Sequence, residues 1–211
     1  MAANYDGTTW FYEHLSKLVF GQAQVRAQNY FLSQIIPGAC ILIIGGGTGT
    51  MLETLAGLHP SGLNITYVEA SAKMMALSKK RNAGQNHVMF INSDIANLSF
   101  DQKFDVVITA FLFDNFSEEI LADTFAIIDK MLKPGGLWLD TDFQLTGPLW
   151  QKVLLKMMYT FFKLMGAVEV TKLPDVRRMF YTHGYRVKEE KAFYGDFILA
   201  RVYQNDVVIK P

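Results

Sequence analysis

Ile41-Leu42-Ile43-Ile44-Gly45-Gly46-Gly47-Thr48-Gly49 decides the fold. Four consecutive aliphatic residues read as a strand buried on both faces. The glycines at 45, 47 and 49 let the backbone turn sharply into a helix beginning near Met51. Such a turn leaves no side chain between main chain and ligand and points amide N–H groups at the site. The dinucleotide-binding spacing G-x-G-x-x-G would need glycine at position 50, which is Thr50. A phosphate-cradling loop would need Lys-Ser or Lys-Thr after the glycines, and neither follows. Taken alone, the cluster also fits a plain tight strand-to-helix turn.

Outward from this stretch, Asn64 to Glu69, His87 to Ile91, Phe104 to Ala110 and Leu137 to Leu139 read as further strands. Helical stretches separate them, at Met51 to Gly57, Ser71 to Asn82 and from Ser117 to about Leu132. Ser117 is placed as a cap with Glu118 and Glu119 in the first turn, and Phe116 can staple onto Leu121. Lys133-Pro134-Gly135-Gly136 is expected to end that helix. Strands alternating with helices imply a mostly parallel sheet covered on both faces. The tail departs from this alternation. A long apolar helix is expected from about Leu149 to Met165 and a short one from Asp175 to Thr182, while a helix around Ala23 to Ile35 precedes the first strand. Val187 to Phe193 and Asp196 to Tyr203 then flank Tyr194-Gly195 at hairpin spacing. The expected fold is α/β: a doubly wound, seven-stranded, mostly parallel sheet with a C-terminal antiparallel hairpin. Residues 1–211 read as a single domain, with 1–36 an N-terminal helical cap and 145–183 a helical insertion covering the substrate.

Apolar residues make up 50% of the chain and charged ones 19%, which excludes wholesale disorder. Twenty basic side chains balance 20 acidic ones, so a nucleic-acid partner would need a local basic stripe. The densest basic groups, Lys79-Lys80-Arg81 and Arg177-Arg178, are short, and no nucleic-acid partner is expected. The single cysteine, Cys40, has no partner for an intrachain disulfide and reads as a buried thiol beside the apolar run. The N-terminus lacks a basic segment followed by an apolar one, so the expected location is cytoplasmic. His14, His59, His87 and His183 show no metal-ligand spacing, and no metal is expected.

Two carboxylates give the glycine turn a chemical context. Glu69 ends the second strand, where an acid can accept both hydroxyls of a ribose, or else is a solvated surface acid. Asp94, in Ser93-Asp94-Ile95 after the third strand, is placed to accept from an exocyclic amine or to cap a turn. All three loops lie at C-terminal strand ends, where open α/β sheets bind ligands. The ligand implied is a nucleoside with little phosphate to neutralise.

In order and spacing, the turn above, Tyr67-Val68-Glu69-Ala70-Ser71, Ser93-Asp94-Ile95, Phe104-Asp105-Val106-Val107-Ile108 and Leu132-Lys133-Pro134-Gly135-Gly136 form one pattern. With it the chain resembles the class I S-adenosylmethionine-dependent methyltransferases, over nearly all of residues 37–203. Gly184-Tyr185 and the closing hairpin are similar to the small-molecule branch that includes quinone-biosynthesis methylases. The resemblance implies a Rossmann-like methyltransferase fold, S-adenosyl-L-methionine as cofactor and a small-molecule acceptor. It also implies that Gly45, Gly47 and Gly49 pass under the methionine part and Glu69 holds the ribose. Ala70 would pack on the adenine, Asp94 and Ile95 would face it, and Ala110 with Phe111 would line the floor near the sulfonium. One position departs from the family: Ile43 stands where an acid is usual, two residues before the first glycine. That departure weakens the hold on the cofactor's amino group or passes it to another side chain.

Methyl transfer needs in-line alignment, exclusion of water and, for a hydroxyl or acidic carbon, help with deprotonation. Asp114, His14 and His183 are the candidate bases, with helix capping an equal reading for Asp114. Tyr5, Tyr12, Trp150, Met158 and Phe161 are candidates to contact an apolar acceptor, or else belong to a core stripe. The helix 149–165 suits an acceptor cover, a homodimer interface or a membrane-surface contact, and composition does not choose among them. The rival functions are a protein or nucleic-acid methyltransferase and a non-catalytic S-adenosylmethionine-binding protein. Against base-amine methylation, Ala110-Phe111-Leu112-Phe113 stands where an Asn or Asp-Pro-Pro-aromatic signature is frequent.

Overall fold

The four aliphatic residues after Cys40 alternate between two interiors. Ile41 and Ile43 point into one core and Leu42 and Ile44 into the other, as the two-residue period of a strand requires. A computed structural model describes residues 17–164, 170 and 172–205. In it β1 (Cys40–Ile44) sits at the centre of a seven-stranded sheet of order β3-β2-β1-β4-β5-β7-β6. β2 (Ser61–Val68) and β4 (Phe104–Ala110) pair parallel with β1, β3 (Gln85–Ile91) pairs parallel with β2, and β5 (Leu132–Phe143) pairs parallel with β4. β6 (Tyr185–Phe193) and β7 (Ile198–Asn205) form the antiparallel hairpin, with β7 inserted against β5. The expected architecture is therefore the observed one.

On one face α2 (Thr50–Leu58) and α3 (Ala72–Ser78), with Leu32 of the turn after α1 (Ala23–Asn29), cover a core built on Ile41, Ile43, Leu52, Tyr67 and Ile108. On the other, α4 (Glu118–Met131) and α6 (Val176–Thr182) close over Leu42, Val107, Phe125, Trp138 and Phe180. Ser117 accepts the N–H of Ile120 as the N-cap of α4, and Phe116 and Leu121 are buried in the same core, as the staple requires. A third cluster joins α5 (Leu149–Leu164) and α1 to the end of the sheet through Phe20, Phe143, Tyr159 and Phe197.

Several boundaries differ from expectation for local reasons. Lys133-Pro134-Gly135-Gly136 does not separate α4 from β5. The strand begins at Leu132, and those residues bulge out between the pairs Phe104–Leu132 and Val106–Leu137. The helix expected over 23–35 stops at Asn29 and resumes as a 3-10 turn at Leu32–Gln34. Cys40 is half-buried rather than buried, since it opens β1 at the rim of the sheet. α6 is no part of a cover: Phe180 is fully buried and stacks on Tyr203 of β7, so that end of the 145–183 segment is core.

Candidate functional site

The loops that leave β1, β2, β3 and β4 at their C-terminal ends enclose a cavity of about 650 Å³, within the usual range for small-molecule sites. Gly45 and Gly47 from the first loop, Glu69 and Ala70 from the second, Asp94 and Ile95 from the third, and Ala110 and Phe111 from the fourth all line it. Gly47 has φ +63°, and a Cβ there would meet nothing within 4 Å, so its backbone faces open space. Gly46, which sequence reasoning treated as a spacer, has the tighter requirement. A Cβ there would lie 2.2 Å from the Tyr67 ring. Gly49 does not line the cavity; it lets the start of α2 pass Ser78, 2.7 Å from the position of its absent Cβ.

Glu69 is buried and works in two directions. Its Oε2 accepts the N–H of Gly47 at 2.9 Å and its Oε1 accepts that of Ser71 at 2.8 Å, tying the glycine turn to the start of α3. The Tyr67 hydroxyl donates to the Gly47 carbonyl at 3.0 Å. Burial, and next the Glu69 carboxylate, hold that phenol above its ordinary range, so it stays protonated and remains a donor. Asp94 lines the cavity and accepts the Ala96 N–H as the cap of a 3-10 turn.

A wall that sequence reasoning missed comes from α1. Gln24, Gln28 and Asn29 line the cavity beside Ile43, with Gln28 donating to the Thr50 hydroxyl at 3.2 Å and Asn29 to the Thr54 hydroxyl at 2.9 Å. Among the described residues Asn29 Oδ1 is buried without a hydrogen-bond partner. The available signal was Gln24, a polar residue on the buried side of a short helix.

The family described as a methyltransferase domain matches residues 41–136. The chain is 31% identical over 141 residues to a ubiquinone/menaquinone biosynthesis C-methyltransferase of Ectopseudomonas mendocina, covering 64% of this chain and 54% of that protein. It is 34% identical to a malonyl-[acyl-carrier protein] O-methyltransferase of Priestia megaterium, over 54% of this chain and 39% of that protein. The chain thus spans about half, or less, of the length of these curated relatives. Among solved structures, the Burkholderia thailandensis 1,6-didemethyltoxoflavin-N1-methyltransferase superposes with a TM-score of 0.67, covering 95% of this chain and 86% of its own, at 13% identity. Residues 41–136 form a class I methyltransferase domain.

Beside the cavity of this methyltransferase domain the loop after β4 is held under strain. Phe111 has φ +52°, a region that bulky residues rarely occupy. Its N–H donates to Thr141 O at 2.7 Å, and the Asn115 amide donates to its carbonyl at 3.0 Å. Beneath the loop lie three buried carboxylates. Asp142 Oδ2 accepts the N–H groups of Phe113 and Asp114, both at 3.1 Å, and Oδ1 accepts that of Phe143. Asp140 accepts from Thr109, which accepts in turn from the Trp138 indole. Burial pushes Asp114 up to about 7 and Asp140 up to about 6. Asp142 is also raised, by burial first and then by the like charges of Asp114 and Asp140. The signal for this group was two acids, Asp140 and Asp142, inside an apolar strand.

Of the candidate bases and acceptor contacts, the described ones, Asp114, His183, Trp150, Met158 and Phe161, do not line the cavity. Asp114 is buried behind the wall formed by Leu112, Asn115 and Phe116, where it accepts from the Asn115 amide at 2.7 Å. His183 lies against Phe125 in the opposite core with its Nδ1 2.9 Å from Met179 O. Trp150 packs on Tyr194 and Phe197 at the hairpin turn, Met158 on the third cluster and Phe161 on Phe162. α5 turns Gln151, Leu155 and Tyr159 inward, which leaves these three side chains to its flanks. Its link to the cavity is indirect: the Tyr159 hydroxyl donates to Asp114 O at 2.9 Å. His14, Tyr5 and Tyr12 lie outside the described residues.

Proposed function

We propose that the protein is an S-adenosyl-L-methionine-dependent methyltransferase acting on a small, apolar or aromatic acceptor. The observation that carries this reading is the cavity in which the open backbone of Gly47 and the carboxylate of Glu69 lie together. The residues present fit the cofactor. Glu69 lines the cavity with an acceptor-only carboxylate, the chemistry that the two hydroxyls of a ribose call for. Asn29, whose buried Oδ1 has no hydrogen-bond partner among the described residues, lines the same cavity and offers a polar group to the cofactor. When bound, S-adenosylmethionine supplies a methyl group already activated on a sulfonium.

What the chain adds is position and dryness. Ala70 and Ile95 offer apolar walls to a base, while Phe111 and Phe116 at the other end exclude water from the acceptor. The first relative's named activity, C-methylation in ubiquinone and menaquinone biosynthesis, supports an apolar ring as acceptor. Asp114 and His183 take no part in this reading. A cytoplasmic location belongs to the same proposal and is checked by cell fractionation.

Calorimetry should show S-adenosylmethionine and S-adenosylhomocysteine binding at one site per chain, with NAD and ATP far weaker. Glu69→Ala should weaken cofactor binding by about 1 to 3 kcal/mol, the usual loss for hydrogen bonds to a charged group. Tight NAD binding without S-adenosylmethionine binding would overturn the reading. A methyl-donor assay against quinols, phenols and amines then tests catalysis, and transfer to any of them eliminates a purely binding role.

A further inference from the structure

α5 is anchored on one side and bare on the other. Gln151, fully buried, bonds Thr146 and the Gly195 carbonyl, while Leu155 and Tyr159 enter the third cluster. On the outer side Leu149 is 75% exposed, Val153 50%, Met157 64% and Leu164 82%. With Trp150 these residues fall within an arc of about 100° at helical spacing. Lys152, Lys156 and Lys163, all exposed, fill a strip of about 40° along one border of that arc. The helix contains no acidic residue. The apolar strip continues onto Tyr194 of the hairpin turn, whose ring meets Trp150 at 5.9 Å.

We propose that this face of α5 docks on an anionic phospholipid surface. An apolar row with a tryptophan, bordered by lysines alone, is the pattern of a helix that lies in the plane of a membrane interface. The apolar row enters the acyl boundary while the lysines meet phosphate and carboxylate headgroups. The helix does not span the bilayer: among the described residues no helix is long and apolar enough to cross one. A second copy of the chain is the poorer occupant. A two-fold contact of α5 with α5 would bring lysines toward lysines with no carboxylate on either helix to receive them. The proposal does not depend on the methyl acceptor. It does place the Tyr159 side of the helix, which reaches the loop after β4, directly above a lipid surface.

The test is co-sedimentation of the full chain with vesicles of phosphatidylcholine alone and of an equimolar mixture with phosphatidylserine. Binding should require the anionic lipid and weaken as salt is raised. Lys152→Gln combined with Lys156→Gln and Lys163→Gln should weaken it by about tenfold or more, since each lysine contributes separately to the attraction. Val153→Ser combined with Met157→Ser should abolish binding while circular dichroism and cofactor calorimetry stay unchanged, the changed residues being exposed and remote from the cavity. Equal binding to both vesicles would overturn the proposal. So would binding to neither, whether sedimentation velocity shows a monomer or a dimer that Met157→Glu splits.

Discussion

Two adjacent glycines divide the labour of the first loop. Gly46 serves the fold, since any Cβ would strike the Tyr67 ring, whereas Gly47 keeps the cavity open, since its missing Cβ would project into open space. Gly46→Ala should therefore cost about 1 to 3 kcal/mol of stability, as overpacking does. Gly47→Ala should cost only about 1 kcal/mol, from the left-handed backbone. Gly47→Val should in addition block S-adenosylmethionine while leaving a folded protein. Melting temperatures and calorimetry on the three variants check this, and a Gly46→Ala variant as stable as the native chain would refute the division. The meeting of Gly47 and Glu69 at one cavity was legible because strand, turn and acid recur in a fixed order. The demand at Gly46 was not, because it comes from Tyr67 on the neighbouring strand, a contact made only once β1 and β2 pair.

The alternation of apolar runs and helices specified the sheet, since the central strands β1 and β4 have to be covered on both faces. What the pattern lacked was direction. Residues 145–183 read as a single insertion, but α5 lies on the third cluster and α6 in the core shared with α4. Composition could not separate two apolar helices whose neighbours are distant in sequence. Similarly, Trp150, Met158 and Phe161 announced an apolar surface without saying which side of the helix meets the domain. Phe180 decides the status of α6. Its ring lies 3.6 Å from that of Tyr203 and 4.8 Å from both Phe125 and Trp138. Phe180→Ala should lower stability by about 3 to 5 kcal/mol through lost burial and a residual cavity. Chemical denaturation measures the loss. If α6 were a mobile cover, the change would be small and acceptor kinetics would respond instead.

At the scale of the whole molecule, the buried acids link stability to pH. Asp114 and Asp140 have folded-state values of about 7 and about 6, raised by burial above the ordinary carboxylate value of 3.8, and Asp142 is raised as well. A raised carboxyl binds more protons in the native state than in the unfolded one, so between those values stability falls as pH rises. The contribution is full below the unfolded value and is lost as pH climbs through the folded one. Asp105 works in the opposite sense: desolvation is the largest single effect and raises it, but the bonds from Lys133 and the Cys40 N–H together with the Lys133 charge outweigh it and hold the carboxyl low, so its contribution is present above the unfolded value and lost as pH falls. It lies at the exposed end of β4, where solvent screens the pair and keeps its weight small. The native chain should therefore lose melting temperature between about pH 5 and about pH 8. Asp114→Asn removes one of the interacting charges, so the variant's melting temperature relative to the native chain should rise steadily across that interval. The two carboxyls next to it titrate as a set, and the slope belongs to the set rather than to one residue. A difference that stays constant with pH would mean that the native state holds no extra proton there. In that case the three N–H groups on Asp142 would be outweighing burial.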